Sequence, residues 1–168
     1  MRSTDVLTDA FDRVRDAVHP AVNGLGPDEL AARPDAGSNS IAWLVWHLTR
    51  IQDDHVSGAA GGPQVWTSRG WADRFALPFD VSDTGYGHDA GAVAAVRADA
   101  ASLLGYFEDV HAATMAFLAT LGDGDLERVV DTHWDPPVTL GVRLVSVIAD
   151  DLQHVGQAAY VRGILQGR

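Results

Sequence analysis

The sequence has no cysteine among its 168 residues. Disulfides, cysteine-ligated metal sites and a thiol nucleophile belonging to the protein are therefore excluded. If thiol chemistry takes place on this chain, the thiol must come from a ligand or a cosubstrate.

Lysine is also missing, so all 12 basic residues are arginines, against 23 aspartates and glutamates. The formal net charge is −11, and the arginines are scattered singly along the chain. An acidic surface without a basic patch repels phosphate backbones, so we expect no nucleic-acid partner.

Long hydrophobic runs are absent as well. No stretch reaches the length of a membrane span, and residues 1–6 lack the apolar centre of a signal peptide. These absences predict a soluble, cytoplasmic protein with no membrane partner. The length suits a single domain, residues 1–168, and a hydrophobic content of 46% is enough for a core.

Apolar residues that recur three and four positions apart predict four long amphipathic helices. We place these helices at residues 4–22, 41–56, 90–121 and 138–165. The candidate N-caps are Thr4, one of the three residues 38–40, and Thr139. Apart from a possible short strand at residues 128–132, strand patterns are few. The sequence therefore predicts an all-α four-helix bundle with a long crossover loop between helices 2 and 3.

The crossover loop, residues 57–89, combines many glycines with large aromatic rings. These rings are Trp66, Trp71, Phe75, Phe79 and Tyr86. Long loops in compact domains are often lids or pocket walls. Two interpretations stay open at this point: the rings cover one end of the core, or they line a pocket.

Two polar residues of the last helix occupy its apolar stripe, which should face a core. Asp150 and His154 are four residues apart and therefore share one face of the helix. Burying a carboxylate and an imidazole without partners is costly. A divalent metal would satisfy both groups if a third ligand came from another helix, and His47 on the second helix is the candidate.

Two imidazoles and one carboxylate suit a zinc ion whose fourth position stays open to water or substrate. The same set also suits nickel, iron or manganese, so it does not fix the metal. The spacing alone is a weak signal, because many helices carry an Asp/His pair on a solvated face. In the competing interpretation, Asp150 pairs with an arginine such as Arg50 and no metal binds.

Other polar residues could support such a site. Asp54 and Gln157 could each accept a hydrogen bond from a ligand imidazole, or could simply be solvated. His55 is either an accessory group near His47 or an exposed residue near the helix end. His88, in a glycine-rich turn, could reach the mouth of a pocket. The sequence assigns no catalytic residue.

Several segments resemble one known family. Residues 40–48 and 52–56 resemble the second helix of the DinB-like superfamily, and Asp150-x-x-x-His154-x-x-Gln157 resembles its last helix. Residues 71–79, followed by residues 84–88, are similar to the branch that contains mycothiol S-transferase-type proteins. The resemblance spans essentially the whole chain.

The resemblance implies a four-helix bundle that holds a divalent metal, zinc as the first choice, through His47, Asp150 and His154. Much of the superfamily uses three histidines. This sequence has Asp150 where the first histidine of the last helix would stand, and the mycothiol-dependent maleylpyruvate isomerases are similar in using a carboxylate there.

The resemblance also implies a function. Related activities transfer or isomerise small electrophiles through a low-molecular-weight thiol, so mycothiol is the expected cosubstrate. Trp66, Trp71, Tyr86 and His88 would then line the substrate side. The alternative is a metal- or ligand-binding stress-response protein that turns nothing over. Bundles of this superfamily often pair, which makes a homodimer possible.

Overall fold

The computed structural model describes residues 1–167, and most of them are helical. The helices are α1 Ser3–Val22, α2 Pro27–Ala31, α3 Ile41–Ala60, α4 Val65–Ser68, α5 Trp71–Phe75, α6 Ala90–Ala95, α7 Ala100–Leu118 and α8 Leu140–Leu165. A 3₁₀ helix, Asp123–Glu127, precedes the strands β1 Val129–Asp131 and β2 Val138–Thr139. The prediction of an all-α fold is confirmed.

The four long helices α1, α3, α7 and α8 form a bundle. Both α1 and α3 pack mainly against α7 and α8, so α1 and α3 stand at opposite corners. The core consists of two apolar clusters. A buried polar residue stands between them on each of three helices: Gln52 on α3, Thr114 on α7 and Asp151 on α8.

Polar side chains cap the helices α3 and α8 as predicted, whereas the predicted cap of α1 is wrong. Ser40 Oγ accepts the N–H of Trp43 at 3.1 Å, and Thr139 Oγ1 accepts the N–H of Val142 at 3.4 Å, as predicted. Thr4 does not cap α1, because the helix begins at Ser3 and the Thr4 hydroxyl is buried inside it without a partner.

The predicted third helix, residues 90–121, is in fact two helices. The backbone becomes extended at Val96, after which the Asp99 carboxylate accepts the N–H of Ser102 at 2.7 Å and begins α7. An aspartate that caps the next helix therefore interrupts a segment whose apolar residues keep helical spacing on both sides of it. The second helix is longer than predicted, since α3 continues to Ala60 and ends at Gly61 with φ +70°.

The short strand predicted at residues 128–132 is present as β1. It pairs antiparallel with β2, and Val129 stands opposite Thr139. This pairing explains why the last helix begins at Leu140 rather than at residue 138.

The crossover loop is fixed to α3 by a buried polar network. The Asp53 carboxylate accepts the N–H groups of Val65 and Trp66 at 2.8 and 2.7 Å. The fully buried Arg50 donates to the carbonyl of Asp83 at 3.1 Å and to Gln64 at 2.9 Å. Burial raises the pKa of Asp53 despite these hydrogen bonds. The loop is therefore an anchored wall of the bundle.

None of the helices within residues 1–167 has the length and apolar character that crossing a bilayer requires.

Candidate metal centre

His47 on α3 meets Asp150 and His154 on α8 where these two helices pack together. One ligand atom from each of the three residues lies within 4.8 Å of the others. The structure thus brings together the three residues that the sequence singled out. Metal ligation by these three residues stays a prediction. The hydrogen bonds and burial of each residue bear on this prediction.

A backbone carbonyl fixes the tautomer of His47. Its Nδ1 lies 2.5 Å from the Thr84 carbonyl oxygen, which can only accept, so Nδ1 carries the proton and Nε2 is free to ligate. The indole of Trp43 stacks on the imidazole, with 4.6 Å between ring centroids. Burial lowers the pKa of His47, which favours the neutral form that binds metals.

His154 is oriented by Gln157, which is one of the two possibilities that the sequence left open for this amide. Its Nδ1 lies 3.0 Å from Gln157 Oε1, and its Nε2 lies 3.5 Å from Asp150 Oδ1. The His154 ring meets the His47 ring edge-on, with 4.8 Å between centroids. An amide oxygen on Nδ1 leaves Nε2 as the ligating nitrogen, which is the usual arrangement around metal-bound histidines.

Asp150 supplies a negative charge with an unused oxygen. Burial pushes the pKa of its carboxyl upward, but contact with His154 and the nearby His47 and His55 outweighs this and keeps that pKa below its usual range. Asp150 in turn raises the pKa of His154. Asp150 Oδ2 is buried and has no hydrogen-bond partner among residues 1–167. An ionised carboxylate with an unpaired oxygen beside two imidazoles fits a divalent cation.

A turn of the crossover loop, residues 83–88, sits directly on His47. Gly85 has φ +91°, and a Cβ there would lie 2.8 Å from His47 Nδ1 and 2.9 Å from the Trp46 ring. Only glycine fits this approach. The turn is held by the Asp83 carboxylate, which accepts the N–H of Gly85 at 2.7 Å.

His88 belongs to this turn and does not line a pocket mouth. The indole N–H of Trp43 donates to His88 Nδ1 at 3.1 Å, so Nδ1 acts as the acceptor. The proton of the imidazole is therefore on Nε2, which donates to Asp83 at 3.1 Å. The imidazole is nearly buried and stacks on Trp46. His88 thus fixes the turn that holds His47, whereas Tyr86, at the tip of the turn, is 90% exposed.

Two predicted pocket residues, Trp66 and Trp71, are buried in the core. Their rings lie 5.1 and 5.9 Å from the ring of Tyr106, which is also buried. These positions agree with the interpretation that the aromatic rings of the loop cover one end of the core, while Trp66 and Phe79 also line a surface cavity of about 340 Å³ in the loop.

Two pairings that the sequence left open do not form. Asp54 accepts no hydrogen bond from His47, because the Nδ1 of His47 already donates to the Thr84 carbonyl. Asp54 instead accepts from the Gln64 side chain at 2.6 Å. Arg50 does not pair with Asp150, because it is engaged in the network that anchors the crossover loop. The interpretation that an arginine neutralises Asp150 therefore loses its proposed partner.

Two surface cavities lie along the α3–α8 groove. One, of about 440 Å³, is lined by residues that include Asn39, Leu44, Gln157 and Tyr160, and it adjoins the centre through the Gln157–His154 contact. The other, of about 230 Å³, is lined by residues that include Asp54, His55, Asp131 and Arg143. Arg143 bonds Asp131 at 2.7 Å and lies 3.2 Å from His55 Nδ1.

The sequence did not reveal the groups that orient His47. The Thr84 carbonyl is a backbone group and carries no residue signature. Gly85 did carry a signal, since a glycine followed by a second glycine at position 87 indicates a turn with positive φ. Only the folded structure shows that this turn lies over the candidate ligand.

The fold and the centre define an all-α bundle with a His/Asp/His arrangement between its second and last long helices. The sequence profile of the DinB superfamily matches residues 10–158, and the chain belongs to this superfamily.

The chain is also similar to a solved structure. This is the crystal structure of the conserved protein of locus from Enterococcus faecalis, with 30% sequence identity and a TM-score of 0.93. The match covers 100% of this chain and 99% of the other. No curated protein matches the chain.

Proposed function

We propose that this chain is a metal-dependent S-transferase that joins a low-molecular-weight thiol of the mycothiol type to small electrophiles. The observation that supports the proposal is the convergence of His47, Asp150 and His154 on one point. Three protein ligands around a cation leave a fourth position open for substrate, which is typical of catalytic rather than structural sites.

A divalent cation, zinc as the first candidate and nickel, iron or manganese as others, would hold a thiol as the reactive thiolate near neutral pH. The residues of the chain provide the fixed frame for this chemistry. Thr84 and Gln157 set the two imidazole rings, and the anchored crossover loop limits the access of water to His47. No cysteine of the chain competes with the cosubstrate thiol.

The two cavities lie along the groove that holds the centre, although none of the three candidate ligands lines either of them, and they suit two reactants of different character. Asn39, Gln157 and Tyr160 offer amide and hydroxyl groups, which favour an uncharged polar body such as that of a thiol built on sugars. The cavity with His55 and Arg143 lies further along the same groove and has room for a small electrophile. The division of the two reactants between the cavities is part of the proposal.

The proposal is tested by thiol consumption with a chloro-dinitroarene as the electrophile. In this reaction the thiol loses its proton, sulfur bonds to the ring carbon, and chloride leaves with the bonding electrons. Purified protein is loaded with zinc, nickel or manganese and assayed with mycothiol, bacillithiol and glutathione. We expect turnover with mycothiol that a chelator abolishes.

His154→Ala and His19→Ala form a matched pair for this assay. His154 is a candidate ligand, whereas His19 contacts Glu108 between α1 and α7. We expect His154→Ala to consume thiol only as fast as wild type does in the presence of the chelator. We expect His19→Ala to keep the wild-type rate. Protein that binds metal but consumes none of the thiols would contradict the proposal and favour a metal-binding protein without turnover.

A further inference from the structure

The polar cavity in the groove between α3 and α8 has a wall of charged and hydrogen-bonding groups. It has a volume of about 230 Å³ and is lined by residues that include Asp54, His55, Asp131 and Arg143. Arg143 comes two helical turns before Asp150 on α8, so the cavity wall lies about 10 Å from the candidate metal centre along that helix. A cavity of roughly 150 Å³ can hold a benzene ring, so this one has room for a ring with substituents.

Arg143 is held in this wall by Asp131. Its Nη2 donates to Asp131 Oδ2 at 2.7 Å, and the two side chains are only 17% and 19% exposed. The Asp131 carboxylate also accepts the backbone N–H of His133 at 2.9 Å, which fixes it from a second side. The positive charge of Arg143 is therefore balanced within the protein, while not all of its five N–H donors are used by these contacts.

His55 is a neutral hydrogen-bond donor beside Arg143. Arg143 Nη1 lies 3.2 Å from His55 Nδ1, the nearer ring nitrogen, and a guanidinium can only donate, so Nδ1 accepts. Burial, followed by the charge of Arg143, lowers the pKa of His55, so the ring is neutral at neutral pH. A neutral imidazole whose Nδ1 accepts carries its proton on Nε2, and this N–H is a donor for a ligand.

The charges around the cavity favour an uncharged ligand over an anion. The two carboxylates of Asp54 and Asp131 line the cavity together with the single guanidinium of Arg143. An anion would have to compete with Asp131 for Arg143, whereas an uncharged oxygen acceptor needs only the donors that Asp131 leaves unused. A divalent cation with Asp150 and one thiolate is neutral in sum, so the centre would not attract an anion either.

We propose that His55 and Arg143 bind the electron-withdrawing oxygen group of an uncharged aromatic electrophile, at the end of the ring opposite to the reacting carbon. This inference rests on the proposed function, in which a thiolate at the centre attacks that carbon. A reacting sulfur and carbon approach to about 3–3.5 Å, and a ring that extends from this point along α8 brings its far substituent to Arg143.

The chemistry of the transfer explains why donors are useful at that end of the ring. The thiol first releases its proton to water. Its sulfur then bonds to the ring carbon, and an electron pair of the ring moves onto the oxygens of a nitro group at the far end. Chloride leaves with its bonding electrons and restores the aromatic ring. Fixed donors at the oxygens that gain negative charge stabilise the transition state.

Binding of 4-nitrotoluene and of 4-methylbenzoate tests the ligand class without any turnover. The nitro and carboxylate groups have nearly the same shape but differ in charge. In calorimetry with protein in the presence of zinc, we expect 4-nitrotoluene to bind at least about tenfold more tightly than 4-methylbenzoate. Asp131→Asn releases Arg143 for an anion, so we expect it to raise the affinity for 4-methylbenzoate about tenfold and that for 4-nitrotoluene less than about twofold.

Asp135→Asn is the matched control, because it removes an exposed carboxylate from the connection between β1 and β2. It changes the net charge of the chain as Asp131→Asn does but leaves Arg143 paired. Equal affinity of the wild type for the two compounds, or binding of neither, would overturn the proposal. An equal response of the two variants to 4-methylbenzoate would overturn it as well.

Arg143→Gln tests the role of the guanidinium in the thiol assay. We expect kcat for 1-chloro-2,4-dinitrobenzene to fall about tenfold, because donors to the developing charge are lost. We expect kcat for iodoacetamide to change less than about twofold, because displacement at its saturated carbon places no charge on a distant oxygen. Equal losses with both electrophiles would overturn this role. If no electrophile is consumed at all, the proposed function fails, whereas the binding of 4-nitrotoluene and 4-methylbenzoate still decides the ligand class of the cavity.

Discussion

The position of His47 depends on a residue with no side chain. Gly85 has φ +91° and leaves no room for a Cβ beside His47 Nδ1. We predict that Gly85→Ala displaces the imidazole and lowers metal affinity by about 10–100-fold, the usual cost of disturbing groups that orient a metal ligand. Competition with a chromophoric chelator measures this affinity.

Gly87→Ala is the matched control for this prediction. Gly87 lies in the same turn with φ +76°, but a Cβ there meets nothing within 4 Å. The control therefore shares the backbone strain without the collision. Equal losses of affinity in the two variants would show that the turn, rather than the close approach to His47, governs binding.

The sequence identified the candidate ligands but not which residue of α8 faces the core. By sequence spacing, Asp150 and His154 interrupt the apolar line of the last helix. In the structure that line runs through Val147, Asp151 and Val155, and the fully buried Asp151 carboxyl has no hydrogen-bond partner in the described part of the chain. Asp150 and His154 lie toward α3. Helical spacing alone cannot separate neighbouring faces of a helix that is apolar on two sides.

At the scale of elements, the bundle could be predicted because four segments repeat apolar residues at helical spacing. The break between α6 and α7 could not, since apolar residues keep helical spacing on both sides of Asp99 and only the fold shows the capping bond from Ser102 to Asp99. The helices of the crossover loop were also missed. α4 is held by hydrogen bonds from its backbone to the distant Asp53, which no local pattern shows.

The contact between α1 and α7 predicts a pH dependence. The Glu108 carboxylate accepts from Arg15 at 2.7 Å and contacts His19. Burial would raise the pKa of Glu108, but these two partners outweigh burial and lower it below the ordinary value of 4.5. A carboxyl whose pKa is lower in the folded state than in the unfolded chain stabilises the fold at pH values above its unfolded pKa. This stabilisation is lost as the pH falls through the pKa of the folded state.

We therefore expect Glu108→Gln to lower the melting temperature at pH 7. At pH values below the pKa of Glu108 in the folded protein, we expect the variant and wild type to melt at the same temperature. Because the Arg15 and Glu108 side chains are 44% and 35% exposed, the effect should not exceed about 1 kcal/mol. Thermal unfolding at a series of pH values measures the difference. Glu127→Gln, at an exposed position, is the control. A difference that stays constant from neutral to acid pH would contradict this account.

At the scale of the whole molecule, a metal that joins α3 to α8 should stabilise the fold. A ligand at 100 times its dissociation constant adds about 2.7 kcal/mol to the free energy of unfolding. For a domain of this size we expect a chelator to lower the melting temperature by roughly 5–10 °C. His154→Ala should melt at the same temperature with and without chelator, whereas His133→Ala should respond as wild type does.

The central claim is that His47, Asp150 and His154 bind a single divalent cation. Anomalous diffraction at the absorption edge of the bound metal tests it most directly. We predict one peak per chain, within about 2.0–2.2 Å of Nε2 of both histidines and of an Asp150 oxygen. A metal-loaded crystal with no peak between α3 and α8, or with its peak at another group, would contradict the account.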